Sequence, residues 1–165
     1  MYLEVFFKVR VISILSILVL GLTCALHAEE PSVGGKLKAD SVYQTDGIAI
    51  HGYDAVAYFQ NEKPVKGKKE FEHQWTGAMW RFSSAENRDL FIKEPERYSP
   101  QYGGYCAYGM SSGYAAPTRP EAWSVVQGKL YLNYNLEVRK IWEKDRPGHI
   151  ARADVNWPQI PKKSM

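Results

Sequence analysis

Residues 80–91 read Trp-Arg-Phe-Ser-Ser-Ala-Glu-Asn-Arg-Asp-Leu-Phe, and this order predicts an aromatic strand that leads directly into a helix. Ser83 and Glu86 fit a capping box, in which a serine at the helix cap and a glutamate three residues later each bond the other's backbone N–H group. We expect the helix to continue through Phe91 and to end near Pro95, because proline disrupts helical hydrogen bonding.

Two hairpins are predicted, one before this helix and one after it. Residues 71–75 and 79–83 form the first, with Thr76-Gly77 near its turn. Residues 123–126 and 129–133 form the second, across Gln127-Gly128. Both are short and antiparallel.

Shorter elements complete the pattern. Residues 48–50 predict a strand, and Asp54 can cap a short helix over residues 55–59. Asn135 can cap a last helix with apolar residues at helical spacing, which Pro147-Gly148 should break. The fold class is therefore α+β, with small antiparallel hairpins packed with short helices.

The N-terminus has the pattern of a secretory signal. After Lys8 and Arg10, residues 11–26 are 16 uncharged positions, fewer than the roughly 20 apolar residues of a membrane-spanning helix. We predict a signal peptide at residues 1–28, an irregular lead-in at 29–42 and a single domain at 43–160, in a periplasmic or secreted protein. Because Glu4 interrupts the charged start, an uncleaved anchor stays open as the alternative.

The exported chain has little net charge and one thiol. Of 21 basic and 18 acidic residues, loss of Lys8, Arg10 and Glu4 leaves 19 and 17, so a nucleic-acid partner is not expected. Cys24 leaves with the signal, and Cys106 then has no partner for an internal disulfide, so stability must come from packing. We expect a monomer with no stable membrane span after cleavage.

The aromatic strand, the capped helix, Pro95 and Tyr98 fall in the register of one family. The chain resembles the YHS-domain family, most closely its exported bacterial single-domain branch. The core resemblance covers residues 52–98, and branch-like features continue through residues 102–106 and the Trp123 hairpin to Asn156-Trp157-Pro158. The resemblance implies a YHS-like core followed by a C-terminal hairpin and helix.

Metal-associated YHS modules, as in copper-transporting pumps, carry three cysteines. The resemblance places those positions on Ala57, Ser83 and Asn87, none of which supplies a thiolate. Because a soft site for Cu(I) or zinc needs thiolate or imidazole ligands, the resemblance carries over the fold and not that metal site. We expect the three positions to line one shared spot.

A different metal site is one hypothesis for this chain. Its ligands would be the Cys106 sulfur, the His73 and His51 imidazoles and the Asp54 carboxylate, holding Cu or Zn, although their spacing forms no short paired-ligand motif. The structural alternative makes His73 a hairpin residue, His51 a turn residue and Cys106 a small buried hydrophobe.

Three functions follow from these alternatives. The leading hypothesis is an exported, non-enzymatic YHS-domain binding protein that holds Cu or Zn weakly through Cys106 and His73. The second is a structural or protein-interaction module without metal, whose partner is an unidentified protein. The third is thiol-redox chemistry at Cys106. An enzyme is less favoured, because the sequence contains no Gly-x-Ser-x-Gly, dinucleotide or phosphate-loop motif.

Overall fold

The structure is a computed structural model that describes residues 41–160. Its main sheet has four strands: β1 Gln44–Thr45, β2 Ile48–Ala49, β3 Lys68–Trp75 and β4 Ala78–Phe82. Their order in the sheet is β1-β2-β4-β3. Strands β3 and β4 are antiparallel and form the predicted first hairpin, whereas β2 and β4 are parallel.

The second hairpin is a separate two-stranded sheet. Strand β5, Trp123–Val126, pairs antiparallel with β6, Lys129–Leu132. Gln127 and Gly128 have φ angles of 50° and 72°, the left-handed pair that a tight two-residue turn requires. The prediction for this hairpin is confirmed.

Short helices surround the two sheets, and the α+β prediction is confirmed. The α-helices are α1 Ala57–Gln60, α2 Ala85–Lys93, α3 Pro95–Tyr98, α4 Ala107–Ser111, α5 Leu136–Glu143 and α6 Arg146–Asn156. Helix α5 begins after Asn135, whose side chain accepts a 2.8 Å hydrogen bond from Val138 N. It ends before Pro147-Gly148, which lies in the first turn of α6.

The cap of α2 corrects the prediction by one residue. Ser84 is the N-cap, and its Oγ accepts a 3.2 Å hydrogen bond from Asn87 N. Ser83 was predicted in that role, but its side chain points to Asp54, as described below. A long-range contact therefore overrides the local capping pattern at this position.

Phe91 joins α2 to the main sheet. Its ring centroid lies 4.9 Å from that of Trp80 and 5.0 Å from that of Phe82, and all three side chains are buried. Truncating a buried phenylalanine to alanine costs about 3–5 kcal/mol, so this contact stabilises the strand–helix unit strongly. Because Phe82 precedes Ser83 and α2 contains Asn87, the same packing positions both polar residues.

A second core cluster lies among the later residues. Tyr102 and Tyr105 are buried there, with Tyr131, Trp142 and Trp157. Tyr114 ends the tyrosine-rich residues 102–114 and is half exposed. These residues therefore supply mainly packing contacts, and residues 112–114 reach the surface.

A left-handed turn connects this cluster to the start of the described chain. Tyr102, Gly103 and Gly104 have φ angles of 56°, 61° and 89°. Gly103 O accepts a 2.9 Å hydrogen bond from Tyr43 N, and a Cβ at Gly103 would overlap the Ser41 carbonyl. Only glycine fits that position, because both the φ angle and the close approach exclude a side chain.

The signal peptide at residues 1–28 and most of the lead-in at 29–42 lie outside the described residues. Ser41 and Val42, at the end of the predicted lead-in, are buried. The described residues 41–160 all belong to one compact unit. Within residues 41–160, no helix is both long enough and apolar enough to cross a bilayer.

Candidate functional site

The Asp54 carboxylate is fully buried where the chain turns into α1. Its Oδ1 accepts hydrogen bonds from the backbone N–H groups of Val56, at 2.9 Å, and Ala57, at 3.2 Å. The predicted capping role of Asp54 is corrected: the helix begins at Ala57 with Val56 as its N-cap, and Asp54 instead holds the turn that precedes the helix.

The other oxygen of Asp54 joins two distant segments. Oδ2 accepts from Ser83 N at 2.8 Å, Ser83 Oγ at 2.6 Å and Asn87 Nδ2 at 2.7 Å. Asn87 Nδ2 also lies 3.3 Å from Ser83 Oγ. One carboxylate thus binds the end of β4 and the first turn of α2; we call Asp54, Ser83 and Asn87 the carboxylate anchor.

Five neutral donors surround this charge. Within residues 41–160, no basic side chain forms an ion pair with Asp54. A buried carboxylate without hydrogen bonds would cost several kcal/mol, and these donors offset that cost. Removing a donor would leave part of a buried charge unsatisfied, so the anchor makes all three segments interdependent.

The carboxylate anchor lies at the cysteine positions that the resemblance implied. Ala57 N, the Ser83 side chain and the Asn87 side chain all bond Asp54, so the structure brings the three positions together. These residues do not fit a soft metal: they supply no thiolate or imidazole, and hydrogen-bond donors already surround both Asp54 oxygens.

Cys106 lies elsewhere, at the N-cap of α4. Its Sγ accepts a 3.4 Å hydrogen bond from Gly109 N and lies 3.8 Å from Asn133 Oδ1. Burial raises the pKa of the thiol, and hydrogen bonds from Gly109 and other backbone groups oppose that rise only in part. Because the thiolate is the form that reacts and binds metals, this environment suppresses both activities.

The two histidines of the predicted metal site have separate surroundings. His51 Nε2 lies 2.8 Å from the Thr118 carbonyl oxygen, and its ring meets the Tyr43 ring edge-on at 5.2 Å. His73 is half-buried on β3, opposite Trp80.

The structure does not assemble the four predicted ligands. Within residues 41–160, no three histidine, cysteine, aspartate or glutamate residues form a group that could hold a metal ion. A metal site built from Cys106, His73, His51 and Asp54 stays a prediction.

The sequence pattern predicts Ser83 as a helix cap and Asn87 as the position of a lost metal ligand, and it does not predict that both bond Asp54. The available signal is the expectation that the three cysteine positions meet at one spot. The distances that identify those donors come only from the folded chain.

Comparison with known proteins gives one match. A family model described as YHS domain matches residues 56–102. No curated protein and no solved structure matches the chain.

Proposed function

The chain belongs to the YHS-domain family, and we propose that it is an exported, non-enzymatic binding protein in which a carboxylate anchor replaces the cysteine metal site. The observation that carries this proposal is the convergence of Ala57 N, Ser83 and Asn87 on Asp54. The anchor uses the YHS positions to hold the scaffold together, which leaves binding to other surfaces.

The surroundings of Ser111 and His149 support the non-enzymatic part of the proposal. Ser111 Oγ lies 2.9 Å from His149 Nδ1, but it also donates a 2.7 Å hydrogen bond to the Tyr108 carbonyl. Burial and the charge of Arg152 lower the pKa of His149, although Asp145 opposes them. A serine whose proton is already donated, beside a weakened base, is a poor nucleophile.

The charge pattern of residues 1–28 supports export. Recovery of the protein from the periplasm or medium, followed by N-terminal sequencing, tests this part directly. A chain that begins at Glu29 is expected; a chain that starts at Met1 and stays with the membrane would contradict cleavage.

Metal analysis tests the absence of a soft-metal role. The protein is purified under metal-replete conditions and assayed for Cu and Zn, together with Cys106→Ser and His73→Gln variants. We expect no stoichiometric metal and no thermal stabilisation when Cu or Zn is added. If the original protein holds one equivalent of metal and each substitution alone removes it, the proposal is overturned and the predicted Cys106–His73 site is established.

Thiol labelling tests the redox alternative. In a Cys24→Ser variant, Cys106 is the only thiol. Its 1 % exposure predicts that labelling is more than about tenfold slower in the native protein than in denaturant. Equal rates would favour the thiol-redox function.

A further inference from the structure

An open cleft of about 450 Å³ lies between α1, β5 and the two last helices. Its volume is within the usual range of small-molecule sites, about 300–1,000 Å³. Aromatic residues and arginines that are far apart in the sequence come together in this cleft. Its lining includes Tyr58, Phe59, Glu62, Trp123, Arg139 and Arg146.

The aromatic wall of the cleft is held rigidly. Tyr58 is 1 % exposed, its hydroxyl donates to the Pro120 carbonyl at 3.2 Å, and burial raises its pKa so that it stays neutral. The Tyr58 and Trp123 ring centroids are 5.6 Å apart. Phe59 packs edge-on against Tyr98, also at 5.6 Å. Fixed aromatic rings offer apolar contact at little cost in conformational entropy.

The cationic wall is an arginine pair held by one glutamate. Glu143 Oε1 accepts from Arg139 Nε at 3.0 Å and from Arg146 Nη2 at 3.1 Å. Arg139 Nε also lies 3.1 Å from Ser124 Oγ. Burial raises the pKa of Glu143, but Arg139, Ser124 and Arg146 outweigh that effect and lower it, so Glu143 stays ionised.

Each guanidinium keeps donors available for a ligand. A guanidinium has five N–H donors in a planar fork that matches a carboxylate. Within residues 41–160, Arg139 uses only Nε and Arg146 uses only Nη2 in hydrogen bonds. Both arginines line the same cleft as the aromatic residues, and their contacts with Glu143 restrain the two side chains.

Charge limits the ligand further. Two guanidinium groups and one Glu143 carboxylate leave one positive charge on this wall. Glu62 lines the cleft on the α1 side, and within the described residues it has no ion-pair partner. With Glu62 included, the groups around the cleft have no net charge, so one carboxylate placed at the arginines is favoured over a dianion such as phosphate.

We propose that this cleft binds a small organic acid with one carboxylate, held by Arg139 and Arg146, and a flat apolar body that packs on the partly exposed rings of Phe59 and Trp123, with the buried Tyr58 supporting Trp123 from behind. This inference rests on the proposed binding role and names its ligand class. The proposal concerns neither Asp54 nor Cys106.

Benzoate is a direct probe of this chemistry. Titration of the purified protein with benzoate, followed by NMR, should shift the Trp123 indole signal in a saturable way, with the signal assigned from a Trp123→Phe variant. Benzamide keeps the ring without the charge, and inorganic phosphate keeps charge without the ring. We expect both to bind at least about tenfold more weakly than benzoate.

An arginine variant with a matched control locates the site. Arg146 is 44 % exposed and pairs with Glu143 at i,i+3. Arg97 is 62 % exposed and pairs with Glu94 at i,i+3, but it does not line the cleft. Arg146→Gln should weaken benzoate binding about tenfold, whereas Arg97→Gln should leave it unchanged.

Three results would overturn the cleft proposal: no saturable shift with tens of millimolar benzoate, equal binding of benzamide, or equal losses in the two arginine variants. None of them alters the metal assay, which tests the wider proposal separately. If the protein binds neither metal nor benzoate, only the proposed ligand class is contradicted, and the wider proposal stands.

Discussion

The Ser83 hydroxyl donates a 2.6 Å hydrogen bond to Oδ2 of Asp54, a residue 29 positions earlier in the chain. This bond joins the end of β4 to the turn before α1. Asn87, in the first turn of α2, donates a hydrogen bond to the same oxygen. In this chain, hydrogen bonds to a buried carboxylate therefore join the three segments that carry residues 57, 83 and 87.

Asp54→Asn should reduce the free energy of unfolding by about 2–4 kcal/mol, because its amide group would face donors that now have no acceptor. Ser83→Ala should cost less, about 1–2 kcal/mol, since the backbone N–H and Asn87 still bond Asp54. Urea unfolding at neutral pH measures both values.

The matched control for this series is Asp89→Asn. Asp89 is an exposed carboxylate with one ion-pair partner, Arg88, so its loss should cost no more than about 1 kcal/mol. If Asp54→Asn and Asp89→Asn had equal effects, the carboxylate anchor would not be a stability element.

Cysteines at the three YHS positions should create a metal site. The triple variant Ala57→Cys, Ser83→Cys, Asn87→Cys should bind about one equivalent of zinc or Cu(I), because three thiolates at one spot form a soft ligand set. Competition with a chromogenic chelator measures the affinity. Adding Cys106→Ser should leave the binding unchanged. A folded triple variant that binds no metal would show that the three positions are not a cage.

The pH dependence of stability should include a contribution from His149. Burial and Arg152 lower its pKa below the ordinary 6.5, so the unfolded chain takes up this proton at a higher pH than the folded protein. His149 therefore favours the folded state less as the pH falls below about 6.5. Thermal melts between pH 7.5 and 5 should show a smaller acid loss in His149→Gln than in the original chain. Parallel curves for the two proteins would contradict this assignment.

Gly103→Ala should destabilise the protein by more than about 2 kcal/mol, because the new Cβ would overlap the Ser41 carbonyl at a φ of 61°. Gly113→Ala is the matched control: its φ is 88°, but open space surrounds its Cβ position, so only backbone strain of roughly 1 kcal/mol is expected. The difference between the melting temperatures of the two variants measures the effect of the overlap with Ser41 beyond that of backbone strain. Equal shifts would mean that the contact with Ser41 is unimportant.

Local patterns predicted the elements well where neighbouring residues control them. The Gln127-Gly128 turn and the Asn135 cap depend on backbone conformations and donors within a few residues, and both occur as expected. Ser83 and Cys106 show the limit of such patterns. The Ser83 hydroxyl bonds Asp54, which is distant in the sequence, and not the backbone of its own helix. The buried Cys106 sulfur accepts a hydrogen bond from Gly109 N as the cap of α4.

The order of residues along this chain was sufficient for the α+β class and the hairpins, because these depend on hydrophobic patterning, turn chemistry and capping between near neighbours. The positions of the YHS cysteines followed from the family resemblance. Two things required the folded chain: the meeting of residues 54, 83 and 87 at one carboxylate, and the placing of Arg139 and Arg146 beside an aromatic wall. Both depend on distances between segments far apart in the sequence, and packing of β4, α2 and the last two helices sets those distances.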